Sequence, residues 1–509
     1  MVPQGPTPGN QALTHSSTLA DGAALTASPE IADALGALLE HDVGAWPRRG
    51  LQEQKRRSVR RVFKGALDDV PVYVKVFRAD TIAAKARDAL RRRHKGAREA
   101  QHLLQARDLG LPAVEPLAFG LAREGESLCS FLVTRGVDAA PLELPCGAGR
   151  AGEVGRLLRR VHDCGLLPGD LHPGNVLVGG GDGPTLCDLT SMQRTGEVSM
   201  RRRAEGLAFF CNPIDGGPLD PALRALLRGY LAAGPMPEGF TAELARAARR
   251  LRVTALRSFG RRSSRPCRHT EVAPRRRATP RWTWHLGGGG TDPTTRAALE
   301  AFVPEQLEPR RSGRRGGVWL ADGFAIKERE AGRAQKLWLA HYWLLFAQVP
   351  TATPMALCVH AGRGRVFTRR IDGPDLAAEV ASRALDDEAV ARCARALGRA
   401  VGRLHAHGLR NRDLKFDNLV RVPGTHEVAM VDLDGVTLHG TSDTRGCGRD
   451  LGRLLAAWQN ASAPGGAQTP RRFVYAYVRT RRRLLQQPVM NRILTAAERR
   501  AGEWRACHP

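Results

Sequence analysis

HDCGLLPGDLHPGN, residues 162–175, and HAHGLRNRDLKFDN, residues 405–418, decide how this chain is read. Aligned without a gap, they share His, Gly, Leu, Asp, Leu and Asn at six of fourteen positions. Each follows an amphipathic helix: Val154, Leu157, Leu158 and Val161 share one face in the first, and Val390, Leu397, Val401 and Leu404 in the second. Gly165 and Gly408 are the expected stops of those helices. The match extends in both directions. Downstream, PTLCDLTSM and EVAMVDLDGV carry Asp188 and Asp432, 18 and 19 residues beyond Asp170 and Asp413. Upstream, the alternating runs VYVKVF and GFAIKERE carry Lys75 and Lys327, 95 and 86 residues before those aspartates. Between them, LPAVEPLAFG from Leu111 resembles VPTATPMALC from Val349. The chain therefore reads as two copies of one domain.

The length of 509 residues accommodates this, and 42% hydrophobic with 25% charged residues is a globular composition. The expected layout is an irregular tail over 1–45, a first domain over 46–256, an Arg/Pro/Gly-rich linker over 257–296 and a second domain over 297–509. Gly287–Gly290 lack the Gly-Lys-Ser/Thr that would make a phosphate loop of them. No apolar run is long enough to span a bilayer, and MVPQGPTPGNQALTHSS has no basic segment followed by an apolar one, so a cytoplasmic location is expected. The ten cysteines show no C-x-x-C pair and no zinc spacing.

A strand Lys, a Glu-bearing helix, Asp-x-x-x-x-Asn and a strand ending in Asp form the order of parts in kinase-like phosphotransferases. Phosphoryl transfer demands positioning and charge neutralisation more than covalent chemistry. The Lys can hold the α- and β-phosphates and the Glu can hold the Lys. The first Asp accepts the hydroxyl proton, while the Asn and the distal Asp bind Mg²⁺. The first copy offers Lys75, Glu99, Asp170, Asn175 and Asp188, with Glu99 on a long helix read over AKARDALRRRHKGAREAQHLLQARDLG. The second offers Lys327, Asp413, Lys415, Asn418 and Asp432, with Asp434 as a neighbour. Its helix has Leu337 where the first has Glu99, so either another group orients Lys327 or this half binds nucleotide poorly. Neither RRSVRRVFKG nor RRSGRRGGVWL is a Gly-rich phosphate loop. The implied fold class is α+β: two tandem bilobal domains, each with a small antiparallel β lobe and a mainly helical lobe.

GDLHPGNVLV followed by LCDL resembles the lipopolysaccharide core kinases, the Kdo and heptose kinase family. REAQHLLQARDLGLPAVEPLAFG adds to the likeness, and RDLKFDNLV with MVDLDGV is similar to the same family with a more protein-kinase-like loop. GDLHPGN itself is shared with aminoglycoside and choline phosphotransferases, so it points to the superfamily rather than to the substrate. The resemblance spans roughly 50–250 and 300–460. It implies ATP and Mg²⁺ as cofactors and transfer of the γ-phosphate to a sugar hydroxyl of a glycolipid at the cytoplasmic membrane face. By the same resemblance Lys75 and Lys327 contact nucleotide, Asp170 and Asp413 are bases, and Asn175, Asn418, Asp188 and Asp432 hold metal. The tandem layout and the eroded Gly-rich loops depart from the simplest family pattern.

Lys and Arg number 78 against 51 Asp and Glu, for a net charge of +27. Only eight of the 78 cations are Lys, so Arg stands wherever a cation suffices, and a retained Lys marks a site where the wide guanidinium fork does not fit. Nucleic acid is not expected as a partner on this charge alone. Basic stretches such as Arg91–Arg93 and RRSSRPCR suit peripheral contact with an anionic membrane. Two other readings compete: a protein kinase, and a tandem of pseudokinases with a binding or regulatory role.

Overall fold

The computed structural model describes residues 15–18, 24–57, 59–78, 94–144, 146–179, 183–211, 221–267, 269–274, 279–287, 292–303, 308–310, 316–439, 443–460, 468–481 and 487–507. Two compact units divide the chain, Met1–Leu244 and Ala245–Pro509, each combining an antiparallel sheet with helices in an α+β arrangement.

In the first unit, β1 (His15–Thr18), β2 (Ala24–Ala27), β3 (Gln52–Arg57), β4 (Arg60–Leu67), β5 (Val70–Phe77), β6 (Pro116–Glu124) and β7 (Ser127–Arg135) form one sheet in the order β1-β2-β6-β7-β5-β4-β3. The alternation VPVYVKVF explains β5. Val72, Val74 and Val76 point to one face and are buried with Phe63, Phe131 and Trp46, which leaves Lys75 on the opposite face. Covering the Val face are α1 (Ala32–Leu39) and the 3₁₀ segment Val43–Arg49, through Ile31, Leu35, Val43 and Trp46. Residues 1–45 were expected as an irregular tail; from Ala24 onward they form strand, helix and core instead. A β-sheet with one apolar face must bury it, and this segment supplies the cover.

On the Lys75 face lies α2 (Lys95–Asp108). It begins at 95, with the His94 side chain capping it; the expected extension over 84–93, including Arg91–Arg93, lies outside the described residues. Gly96 sits so close to β7 that a Cβ there would meet the Phe131 carbonyl oxygen at 2.0 Å. That close approach lowers the helix onto the sheet. The helical part of the unit includes α3 (Ala148–Asp163) packed on α4 (Pro221–Ala232), with Gly155 at the crossing: a Cβ there would lie 2.0 Å from the Leu226 carbonyl oxygen.

The expected linker, 257–296, is also corrected. Helix α5 (Phe240–Arg262) runs into it and contains the division between the units. Beyond it, β8 (Thr270–Val272) and β9 (Arg281–His285) belong to the second sheet, and Pro293–Glu300 is helical. RWTWH alternates as a strand does; Trp282 stacks on Trp284 with centroids 4.7 Å apart, and Trp284 is buried. With β10 (Val318–Ala321), β11 (Phe324–Glu330), β12 (Pro354–His360) and β13 (Arg363–Arg369), the second sheet has the order β8-β9-β12-β13-β11-β10. Against it packs α6 (Ala331–Phe346). The helical part holds α7 (Asp387–Ala406), α8 (Thr444–Asn460), α9 (Gln468–Arg481) and α10 (Gln487–Cys507), with α7 against α9 and α8 against α10.

The repetition read in the sequence has structural counterparts. Gly165 and Gly408 both adopt φ of +73° after their helices. His162 meets the Tyr230 hydroxyl at 2.8 Å, and His405 meets that of Tyr477 at 3.0 Å. Gly398, like Gly155, lets a second helix approach: a Cβ there would be 2.4 Å from the Phe473 carbonyl oxygen.

Candidate active site

In the first unit, β5 and α2 bring Lys75 and Glu99 together with an Nζ–Oε1 distance of 2.6 Å. Glu99 is fully buried, so it is not a solvated helix residue. Asp188 joins them from 113 residues further along, its Oδ1 3.8 Å from Lys75 Nζ. The Thr190 hydroxyl lies 2.8 Å from Glu99 Oε2 and 2.9 Å from Asp188 Oδ1, tying the two acids together. Asp188 itself adopts a left-handed φ of +57°, uncommon for a residue with a Cβ. Burial raises its carboxyl, but the charges of Lys75 and Arg60 and the hydrogen bonds from Arg60 and Thr190 prevail and hold it below the usual carboxylate value. Burial likewise pulls the Lys75 ammonium down, and Glu99 and Asp188 more than reverse it.

Asp170 is exposed on the loop after Leu166–Pro168. Asn175 braces that loop, its amide donating to the Asp170 carbonyl at 2.8 Å, while its own carbonyl accepts from the Cys187 N–H at 2.9 Å. The backbone thus lays Asn175 beside the residue before Asp188. The second unit repeats this: the Asn418 amide donates to the Asp413 carbonyl at 2.9 Å, and the Asn418 carbonyl accepts from Val431, the residue before Asp432, at 3.1 Å.

The lysine is held differently in the second unit. Leu337, at the position of Glu99, is buried in the core. Glu328 turns away to Arg363 and Arg365. Lys327 Nζ lies instead 2.7 Å from Asp432 Oδ1 and 2.9 Å from Asp434 Oδ2. Asp434 and Thr190 occupy the same place, two residues beyond Asp432 and Asp188. The carboxylate absent from the helix is present on the loop. Burial pushes the Asp432 carboxyl up, but Lys327 overcomes this by charge and hydrogen bond and leaves the group lowered. Lys415 stands near the Asp413 and Asp417 carboxylates at 4.0 and 3.8 Å, beside the loop aspartate. Asn411 links the two loops: its Oδ1 accepts from the Asp413 N–H at 3.0 Å, and its amide donates to the Asp432 carbonyl at 3.4 Å.

A cavity of about 570 Å³ opens at Lys327, lined among others by Val318, Ala325, Ile371, Asn418 and Asp432. Apolar walls with a few convergent polar groups suit a ligand of nucleotide size. In the first unit Arg60, at the start of β4, donates to Asp188 Oδ2 at 2.5 Å. The Asp188 oxygen therefore already accepts a cation, and an Asp–Asn oxygen pair suits a hard divalent ion. No group of three or more His, Cys, Asp or Glu able to hold a metal occurs among the described residues.

Sequence reasoning did not reach Thr190, Arg60, Asn411 or Arg329, which lies 2.9 Å from Asp434 Oδ2. Thr190 and Asp434 were within reach, since both sit at the same offset from the distal Asp in each copy. Nothing in the sequence pairs Arg60 with Asp188.

No family model matches the chain, and no curated protein is detectably similar to it. Among solved structures it is similar to an aminoglycoside-3'-phosphotransferase of type VIII, with 19% identity over 42% of this chain and 97% of that one and a TM-score of 0.29. It is similar to WbdD at 19% identity over 37% of this chain and 46% of that one, TM-score 0.26. A spectinomycin phosphotransferase in complex with ADP and spectinomycin matches at 11% identity over 42% of this chain and 82% of that one, TM-score 0.28. No described helix is long and apolar enough to cross a membrane.

Proposed function

We propose that the chain is a phosphotransferase built from two tandem kinase-like domains. Its particular reaction is transfer of the γ-phosphate of ATP to a hydroxyl group. One observation carries this reading: a partly buried strand lysine shared by a buried helix glutamate at 2.6 Å and a distal aspartate at 3.8 Å, beside an Asp-x-x-x-x-Asn loop. A lysine so held is a fixed point charge for phosphate oxygens. Asp170 and Asp413, both exposed, would accept the hydroxyl proton. Asn175 with Asp188, and Asn418 with Asp432, would hold Mg²⁺. The ion would supply neutralisation of charge on the phosphates. In the first unit Arg60 must leave Asp188 for the ion to enter. The resemblance to lipopolysaccharide core kinases favours a glycolipid sugar as acceptor, met by the protein on the cytoplasmic side of the membrane.

The test is incubation of the full chain with γ-labelled ATP, Mg²⁺ and a membrane glycolipid extract. Label transferred to a lipid-linked sugar is the expected result. Failure to bind a nucleotide with Mg²⁺ overturns the reading and favours a non-catalytic pair of binding domains. Label on protein alone redirects it to a protein kinase.

A further inference from the structure

Resting on that reading, and deepening it, we infer that the arginine-lined concavity between α8 and α10 is an anion subsite that holds a phosphorylated acceptor beside Asp413. Arg445, Arg449 and Arg453 stand at intervals of four along α8, on one face of the helix. Arg499 and Arg500 face them from α10, with Glu503 as the carboxylate among them, around a volume of about 320 Å³. Like charges four apart on a helix repel. Here five guanidinium groups line a concave site with one carboxylate among the lining residues, Glu503, shared by Arg500 at 3.0 Å and Arg499 at 3.7 Å, while the buried Asp450 lies 3.9 Å from Arg453.

Two glycines build the crossing. A Cβ at Gly448 would lie 2.5 Å from the Ala496 Cβ, and one at Gly452 would lie 2.7 Å from the Arg500 Cβ. These two positions let α10 close on α8 and force the arginines of both helices together. The inner members are not freely solvated. Arg453 is 23% exposed and Arg500 33%; burial lowers the affinity of Arg453 for its proton, the Asp450 carboxylate 3.9 Å away opposes this, and with the charge of Arg500 the lowering prevails. A multiply charged anion would relieve that repulsion, and the guanidinium fork matches phosphate geometry.

Position gives the concavity its role. Arg453 donates to the carbonyl of Arg412, the residue directly before Asp413. Asp413 is felt electrostatically at Arg453. An acceptor whose phosphate sits among Arg445, Arg449 and Arg499 would thus bring a neighbouring hydroxyl toward the loop aspartate. The site selects against a polycationic acceptor such as an aminoglycoside, which the same arginines would repel.

The experiment needs no ATP. Pyrophosphate could also enter the clefts at Lys75 and Lys327, so binding of inorganic pyrophosphate is measured by calorimetry on the full chain carrying Lys75→Ala and Lys327→Ala. It is compared with the same chain carrying Arg449→Gln and Arg499→Gln in addition. Both arginines are exposed, so the melting temperature should hold. Losing two charge-assisted contacts should weaken binding by about tenfold or more. A parallel arm uses phosphatidylcholine vesicles with and without phosphatidic acid. Loss in either arm on Arg→Gln substitution supports the subsite; loss with vesicles alone assigns the phosphate to a lipid headgroup. Equal binding by both proteins, or no binding of either probe, overturns the subsite while leaving the nucleotide reading intact.

Discussion

Replacing Glu99 by alanine removes the closer, fully buried carboxylate of the two that hold a partly buried ammonium. At an effective dielectric of about 20, charges 2.6 Å apart attract by about 6 kcal/mol, and those 3.8 Å apart by about 4 kcal/mol. Much of that attraction offsets desolvation, and removing one member of a buried pair costs about 3–5 kcal/mol. Asp188 remains within reach of Lys75, although Arg60 competes for it, so the lower end, about 3 kcal/mol, is expected. For a unit of this size that corresponds to about 6–12 °C in melting temperature. Scanning calorimetry on the full chain should show one transition falling by that amount while the second unit's stays in place. Glu99→Gln, which keeps a hydrogen-bond acceptor, should fall less. Nucleotide affinity of the first unit should fall with both variants. A shift below about 2 °C for Glu99→Ala would mean that Lys75 does not depend on Glu99, and the reasoning from buried charge would fail.

Asp434→Asn in the second unit should behave oppositely in stability. Its side chain is 40% exposed, so melting should change little, while nucleotide affinity at Lys327 drops about tenfold, as for an oriented charge partner; unchanged affinity would dismiss Asp434 as the substitute for the helix carboxylate. Asp170→Asn and Asp413→Asn, made separately, should each lower turnover of their own unit by about 10²-fold or more with nucleotide binding kept, measured by label transfer and by titration. If one of them leaves total turnover at the wild-type level, that unit takes no part in the chemistry. The equivalent histidines give the units opposite pH responses. Burial, then the charge of Arg203, pushes His162 down to about 4, so its contribution is complete above its unfolded value and declines by about 1.4 kcal/mol per pH unit on acidification toward 4. Burial also disfavours protonated His405, but Cys447, Tyr477 and the Asp450 carboxylate raise it well above the usual value, so its contribution is complete at low pH and declines as pH climbs above about 6.5. His162→Gln should flatten the acid-side slope of calorimetric stability, and His405→Gln the alkaline side; slopes identical to wild type would refute the assignment.

Much of this molecule was legible in the residues alone. The two strand lysines, the two Asp-x-x-x-x-Asn loops and the distal aspartates stand out because a duplicated pattern repeats chemistry at nearly constant spacing. The helices before the loops were equally visible, since a 3.6-residue period and a terminal glycine are local signals. Two segments misled. Residues 24–45 are rich in Ala and acidic residues and 257–296 in small, polar and basic ones, yet their described parts cover or extend a sheet, and composition does not reveal which apolar face lacks a cover. Trp46, Trp282 and Trp284 were the available clues, and the burial of Trp46 and Trp284, with Trp282 stacked on Trp284, is a property of the folded chain. The α+β class and the repeated pattern of lysine, aspartate and asparagine were thus readable in the sequence. Which groups share a proton or a charge was decided only in three dimensions. Arg60 meets Asp188 across 128 residues, and Asp434 takes the lysine that Leu337 cannot. The reason is physical: periodicity and spacing report contacts made within a few residues, whereas charge pairing depends on distances that close only when strands, helices and loops have packed.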